Sequence, residues 1–181
     1  MGSESAGRWP EQAECVVSAE EVSAALDRQA SRVEASLPAD RPVVAVVLMN
    51  GGMYPAVQLT RRMRRPMSFE YIHATRYRER KTGGGIDWVH VPGPERLHDR
   101  HVLLIDDIFD EGYTMEAVRE RLLADGVASL TTVVLALKRH ERGLGRDCVD
   151  DHALEVPDRY VFGCGMDLHG YWRQLDEIWA V

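Results

Sequence analysis

Short apolar runs alternate with amphipathic stretches along this chain. Val43 to Met49 is an unbroken apolar run rich in β-branched residues, the pattern of a strand buried on both faces. Val102 to Ile105 and Leu130 to Leu137 repeat it. Phe69, Tyr71 and His73 alternate with Ser68, Glu70 and Ile72, which predicts a further strand. Ile86 to Val91 predicts a returning strand, and Tyr160 to Phe162 a short one. Helical spacing shows in Val22, Ala25, Leu26, Ala30 and Val33, with Ser18 and Glu21 placed as a capping box. It shows again in Ala56 to Met63 and in Met115, Val118, Leu122 and Leu123. Leu37 to Pro42 breaks the first helix. The charged, Gly-rich stretch Arg76 to Gly85 predicts a flexible loop.

Strands alternating with helices predict an α/β fold: a mostly parallel twisted sheet flanked by helices. No repeat or linker divides the chain, so residues 1–181 are expected to form a single domain. Residues 1–17 read as a disordered or extended N-terminus. Ligands on such sheets sit beyond the carboxyl ends of the strands. The loops after Met49, Ile105 and Leu137 are therefore expected to converge at one edge.

The loop after Ile105 carries the densest chemistry. Asp106, Asp107, Asp110 and Glu111 crowd into one short segment, followed by Gly112 and Thr114 and then a helical stripe. Two unit charges about 4 Å apart repel by roughly 1 kcal/mol in water and roughly 4 at an effective dielectric near 20. Such crowding suits a place where a cation or polar substrate binds; the bland alternative is an acidic surface turn. Backbone N–H groups at a helix start attract phosphate, and Gly112 permits a tight turn and close approach. Carboxylates suit sugar hydroxyls or a hard cation.

Composition narrows the classes. A chain of 181 residues with 45% hydrophobic and 28% charged residues suits a globular protein. A net charge of −7 argues against a dedicated nucleic-acid binder. Basic clusters stand at Arg61, Arg62, Arg64 and Arg65, read as a solvated helix end or subunit contact, and at Arg76, Arg78, Arg80 and Lys81. Cys15, Cys148 and Cys164 are scattered, without a CxxC pair, so neither a disulfide framework nor a zinc site is indicated. His98 and His101 read as a polar connection rather than a metal site. No run approaches membrane-helix length. The expectation is a cytoplasmic protein.

The segment Val102 to Thr114 resembles the phosphoribosyl pyrophosphate (PRPP) binding motif of the type I phosphoribosyltransferases. The resemblance extends over about Val43 to Val181 and is strongest toward the hypoxanthine-guanine branch. It implies the type I fold with a small hood, Val156 to Val181, and a flexible closing loop over Ala74 to Gly85. In the PRPP motif it implies that Asp106 and Asp107 hold the ribose hydroxyls. Asp110 is implied as general base at the purine N7, and Glu111, Gly112, Tyr113 and Thr114 as the 5′-phosphate cradle. Pyrophosphate contacts fall on Asn50, Gly51, Arg76, Tyr77 and Arg173, with Arg142 a weaker candidate. Purine contacts fall on Lys138 (toward O6), Tyr160 (stacking), Val161 (through its backbone) and Asp167. Magnesium (Mg2+) is the implied cofactor, one ion near Asp106 and Asp107 and a second near Asp167. By the same likeness Met49–Asn50 corresponds to a peptide bond that is often cis.

Two departures stand out. Many relatives place Lys where this chain has Asn50, and Ser-Tyr where it has Arg76-Tyr77, so Arg76 is a candidate substitute for the absent Lys. For Asp110 the sequence neighbours Asp107 and Glu111 push the pKa up and magnesium would push it down, so the sequence leaves the net direction open.

The implied activity is transfer of phosphoribosyl from PRPP to a 6-oxopurine (hypoxanthine or guanine), giving IMP or GMP and pyrophosphate in a homodimer or homotetramer. Two alternatives stay open. One is a xanthine-preferring enzyme. The other is a regulator of the same fold that senses PRPP or nucleotides and binds nucleic acid, which would use the Arg61 to Arg65 cluster.

Overall fold

The computed structural model describes residues 7–39, 41–76, 85–140 and 142–181. Strands β2 (Val43–Met49), β3 (Met67–Arg76), β4 (Ile86–His90), β5 (His101–Phe109), β6 (Ser129–Lys138) and β7 (Asp151–Val156) form one six-stranded sheet in the order β4-β3-β2-β5-β6-β7. Only β4 runs antiparallel to its neighbour; the others pair in parallel. A second, antiparallel sheet pairs β1 (Glu14–Val17), β9 (Ile178–Ala180) and β8 (Val161–Phe162) in the order β1-β9-β8.

Helices cover both faces of the large sheet. Helix α1 (Ala19–Ser36) starts on the expected capping box: Ser18 and Glu21 exchange side-chain hydrogen bonds with each other's backbone N–H. Its buried stripe, Val22, Leu26, Ala30 and Val33, joins Ala56 and Leu59 of α2 (Met53–Thr60) on one face of β2 and β5. Helix α4 (Tyr113–Ala124) sets Met115, Val118 and Leu122 against the opposite face, together with Leu97 of the short α3 (Pro94–Leu97).

Several boundaries differ from the sequence reading. Helix α2 begins at Met53, directly off the Gly51-Gly52 turn, not at Ala56. Strand β5 runs through both acids to Phe109, so the tight turn is confined to Asp110–Gly112. Strands β1, β7 and β9 were not foreseen. In the Arg61 to Arg65 cluster Arg61 and Arg64 are exposed at the helix end, while Arg62 and Arg65 turn onto α1. Arg62 Nε binds Asp27 Oδ1 (2.6 Å), and Arg65 binds the Glu34 carboxylate (2.9 Å) and the Pro38 carbonyl, fastening the α2–β3 connection to α1. His101 Nδ1 lies 2.7 Å from Ser129 Oγ, a polar connection as expected.

The sheet order creates the site. From β2 the chain leaves toward β3 through α2 on one face. From β5 it leaves toward β6 through α4 on the other. The crevice between the carboxyl ends of β2 and β5 is thus the switch point of the sheet, where ligands of open α/β folds bind.

Candidate active site

Parallel register carries four chain segments to one edge. Val47 pairs with Ile105, Phe109 with Leu137, and Lys138 with Val156. The turns after β2, β5, β6 and β7 therefore leave the sheet side by side, as the expected convergence required.

The first two turns touch. The Met49–Asn50 peptide is cis. Gly51 lies so close to Asp107 that a Cβ there would fall 2.0 Å from Asp107 Oδ2. The hood closes on the same point. A Cβ on Gly165 would fall 2.2 Å from the Gly51 carbonyl oxygen and 3.1 Å from Asp107 Cβ, and its φ is +106°. Glycines let the two backbones meet there against the Asp107 side chain.

Arg173 joins these pieces electrostatically. Its Nη1 donates to the Gly165 carbonyl (2.7 Å) and lies 3.8 Å from Asp107 Oδ2; its Nη2 lies 2.7 Å from Asp167 Oδ1. Asp167 Oδ2 also accepts the Gly170 N–H (2.7 Å). Asp107 is buried, and the Ile108 N–H donates to its Oδ1 (2.7 Å). Burial raises the pKa of both Asp106 and Asp107. The charge of Asp107 pushes Asp106 further, well above the ordinary carboxylate value, while Asp106 and Arg173 partly restrain Asp107. A cation or a ring of hydroxyl donors would relieve this cost.

The carboxylates expected around magnesium, Asp106 and Asp107 at one ion and Asp167 at a second, form no three-ligand set. Asp167 is turned to Arg173 and Gly170, and among the described residues no three His, Cys, Asp or Glu side chains surround a common point. The donor set still fits magnesium. That ion usually takes one or two carboxylates and fills its octahedron with water and substrate phosphates.

A second cluster forms across the ends of β5 and β6. Asp110 Oδ2 lies 2.7 Å from Lys138 Nζ, and Asp110 Oδ1 lies 2.6 Å from His140 Nε2. Burial favours the neutral acid here too, but the hydrogen bonds and charges of Lys138 and His140 outweigh it, and the Asp110 pKa is lowered. The direction that the sequence left open is set by these partners. Sequence neighbours Asp107 and Glu111 matter less than partners from the adjacent strand. His140 was missed. Its signal was available: it stands two residues after Lys138, and extended chain returns to the same side every second residue.

The phosphate turn is built by packing. Gly112 has φ +83°, and a Cβ there would meet the Phe109 ring at 2.6 Å. Helix α4 starts without a side-chain cap, the arrangement that leaves N-terminal amides for an anion. Glu111, Gly112, Tyr113 and Thr114 all lie in this turn or the first turn of α4. The loop after β6 backs it: the Leu144 N–H donates to the Glu111 carbonyl (2.9 Å), and a Cβ on Gly143 would fall 2.3 Å from that oxygen. Arg142 is held in a bidentate pair with Asp158 (2.6 Å to each oxygen).

The remaining candidates are spread around the rim. Tyr160 is half exposed, its ring 6.5 Å from that of His169, and its carbonyl accepts the Val181 N–H. Val161 is buried in β8, paired with Ala180. Asn50 is exposed on the first turn, and Arg76 ends β3. Tyr77, and with it 77–84 of the expected closing loop, lies outside the described residues.

A glycine-lined turn, an acid pair ending a buried strand and a helix start converge at the switch point, and the family comparison agrees with that geometry. Residues 13–168 match the model of the phosphoribosyl transferase domain. The chain belongs to the phosphoribosyl transferase family. It is 28% identical over 162 residues to a hypoxanthine-guanine phosphoribosyltransferase of Aquifex aeolicus, covering 90% of each chain. It is 30% identical over 139 residues to a hypoxanthine phosphoribosyltransferase of Haemophilus influenzae, covering 77% of each. A solved structure of a mutant Trypanosoma cruzi hypoxanthine phosphoribosyltransferase complexed with the product IMP superimposes with a TM-score of 0.79 at 25% identity, over 96% of this chain and 94% of that one. This phosphoribosyltransferase thus shares fold and family with purine-salvage enzymes.

Proposed function

We propose that this phosphoribosyltransferase transfers the 5-phosphoribosyl group of PRPP to N9 of a 6-oxopurine, hypoxanthine or guanine, yielding IMP or GMP and pyrophosphate with magnesium. One observation carries the reading: Asp110 and Lys138 stand side by side at the cleft as acceptor and donor, 2.7 Å apart. The edge of a 6-oxopurine offers the complement, an N7–H donor beside an O6 acceptor. A 6-aminopurine would turn a donor toward the ammonium. The names of the relatives support the same choice of base.

In the reaction, the N9–C1′ bond forms as the C1′–O bond to pyrophosphate breaks, and the bonding electron pair leaves with pyrophosphate. The N7 proton passes to Asp110. The amides at the start of α4 hold the 5′-phosphate, and Asp106 and Asp107 orient the ribose hydroxyls. Arg173 and the Gly51 backbone face the departing pyrophosphate, where a planar guanidinium suits phosphate oxygens. Asp106 and Asp107 are the residues to hold magnesium, which when bound neutralises charge on the leaving group. Tyr160 stacks on the base.

The nucleic-acid alternative is less well supported, since Arg62 and Arg65 pair with Asp27 and Glu34. The test is magnesium-dependent pyrophosphate release from PRPP with hypoxanthine, guanine, xanthine and adenine. Turnover with the first two, reduced about a hundredfold in Asp110→Asn, is expected. Adenine as the best substrate, or no turnover with any base, would overturn the proposal.

A further inference from the structure

We infer that His140 is a positioning residue for the purine proton transfer, holding Asp110 in place once Lys138 has turned to the base. The inference rests on the reading of Asp110 as proton acceptor.

The ring's tautomer follows from its contacts. His140 Nδ1 accepts the Arg142 N–H (3.1 Å), so in the neutral ring the proton is on Nε2, which lies 2.6 Å from Asp110 Oδ1. The His140 side chain is 5% exposed and that of Asp110 42% exposed, so the carboxylate faces the cleft with the imidazole behind it. Lys138 holds the other oxygen, Oδ2, through a flexible stem.

A bound 6-oxopurine competes for both groups. Its O6 takes the ammonium of Lys138, which vacates Asp110 Oδ2. Without a second donor the carboxylate would be free to rotate. His140, tethered at Nδ1 by the backbone, cannot follow the substrate. It keeps Oδ1 fixed and leaves Oδ2 aimed at N7–H. The N7 proton then passes to Oδ2, while Nε2–H continues to donate to Oδ1. A donor fixed on the far oxygen orients the carboxylate from behind and leaves the near oxygen free to take the proton. Among the described residues, Glu111, Arg142 and Asp158 are further charged groups around this cluster, and the last two are paired with each other.

The test compares His140→Leu, which removes the donor, with His140→Gln, whose amide N–H can replace Nε2–H and does not titrate. Two readouts are taken: the pH profile of single-turnover transfer from Mg-PRPP to hypoxanthine, and the 13C titration of the Asp110 carboxyl. In the Leu variant the single-turnover rate is expected to fall about tenfold, and both titrations to move up by about one pH unit. KM for PRPP should stay within about twofold, because the ribose and phosphate contacts are untouched. The Gln variant should restore both profiles. In the wild type, 15N shifts of the His140 ring should show a bare Nδ1 and a protonated Nε2, whatever the variants do. Normal turnover with an unshifted Leu profile, or the opposite tautomer, overturns the role of His140 alone. A wild type that turns over no purine overturns the transferase reading, and this inference with it.

Discussion

Gly51 shows how little tolerance the cleft has at the residue scale. A methyl group there would lie inside the Asp107 carboxylate. Gly51→Ala is expected to push Asp107 from its place beside Arg173 and lower kcat/KM for PRPP about a hundredfold, as displacements near 1 Å can. Unchanged steady-state kinetics would show that Asp107 need not stay there. Asp106 yields a pH prediction. Its folded pKa lies above its unfolded value, so the folded state binds the proton more tightly. Stability therefore falls as pH rises from the ordinary carboxylate range through the raised value. Asp106→Asn removes that slope: melting of the ligand-free protein near about pH 7 should occur at higher temperature, while PRPP affinity drops. Asp110 has the opposite sign. Its lowered pKa contributes stability above the ordinary value, lost as pH falls through the folded one. The acids were legible because their residue types crowd one short stretch. The pairing of Asp110 with Lys138 and His140 was not, because those partners come from another strand.

At the scale of elements, the long runs were read well. Strand β2 has its expected bounds, and α1 its capping box and stripe. Packing set what periodicity did not. Gln29 is buried in the apolar stripe of α1 because its Nε2 donates to the Val134 carbonyl at 2.9 Å. Gln29→Leu removes this hydrogen bond and should cost about 0.5–1.5 kcal/mol in urea unfolding. Strands β1 and β9 escaped notice because each is short and forms by pairing across the whole chain, Glu14 with Ala180. Strand β7 is a partly exposed edge strand whose sequence, Asp-His-Ala-Leu-Glu-Val, alternates weakly.

For the molecule as a whole, both ends of the chain build the hood. Trp9 packs edge-on against Phe162, Trp172 and Trp179, with ring centroids 4.8 to 5.7 Å apart. Trp172 is the neighbour of Arg173, and Tyr54 Oη reaches Asp176 Oδ1 (2.9 Å) from the α2 side. Aromatic contacts of this kind contribute about 0.5–1.5 kcal/mol each beyond area burial. Trp9→Ala is expected to lower the melting temperature and weaken binding of purine and pyrophosphate more than that of the ribose 5-phosphate moiety. Equal weakening of every ligand, measured by calorimetry, would argue for a general loss of stability instead. The N-terminal segment, read as extended or disordered, thus contributes a strand and an aromatic anchor.

The α/β class, the strand-ended acids and the helix start for phosphate were decided by local pattern, because burial period, turn chemistry and charge crowding are written within a few residues of one another. Tertiary structure alone decided which loops meet, that Arg173 bridges Asp107 and Asp167, and that Asp110 is a depressed rather than an elevated acid. Distances between side chains on different strands depend on sheet order and register, and those arise from the collective burial of two apolar faces.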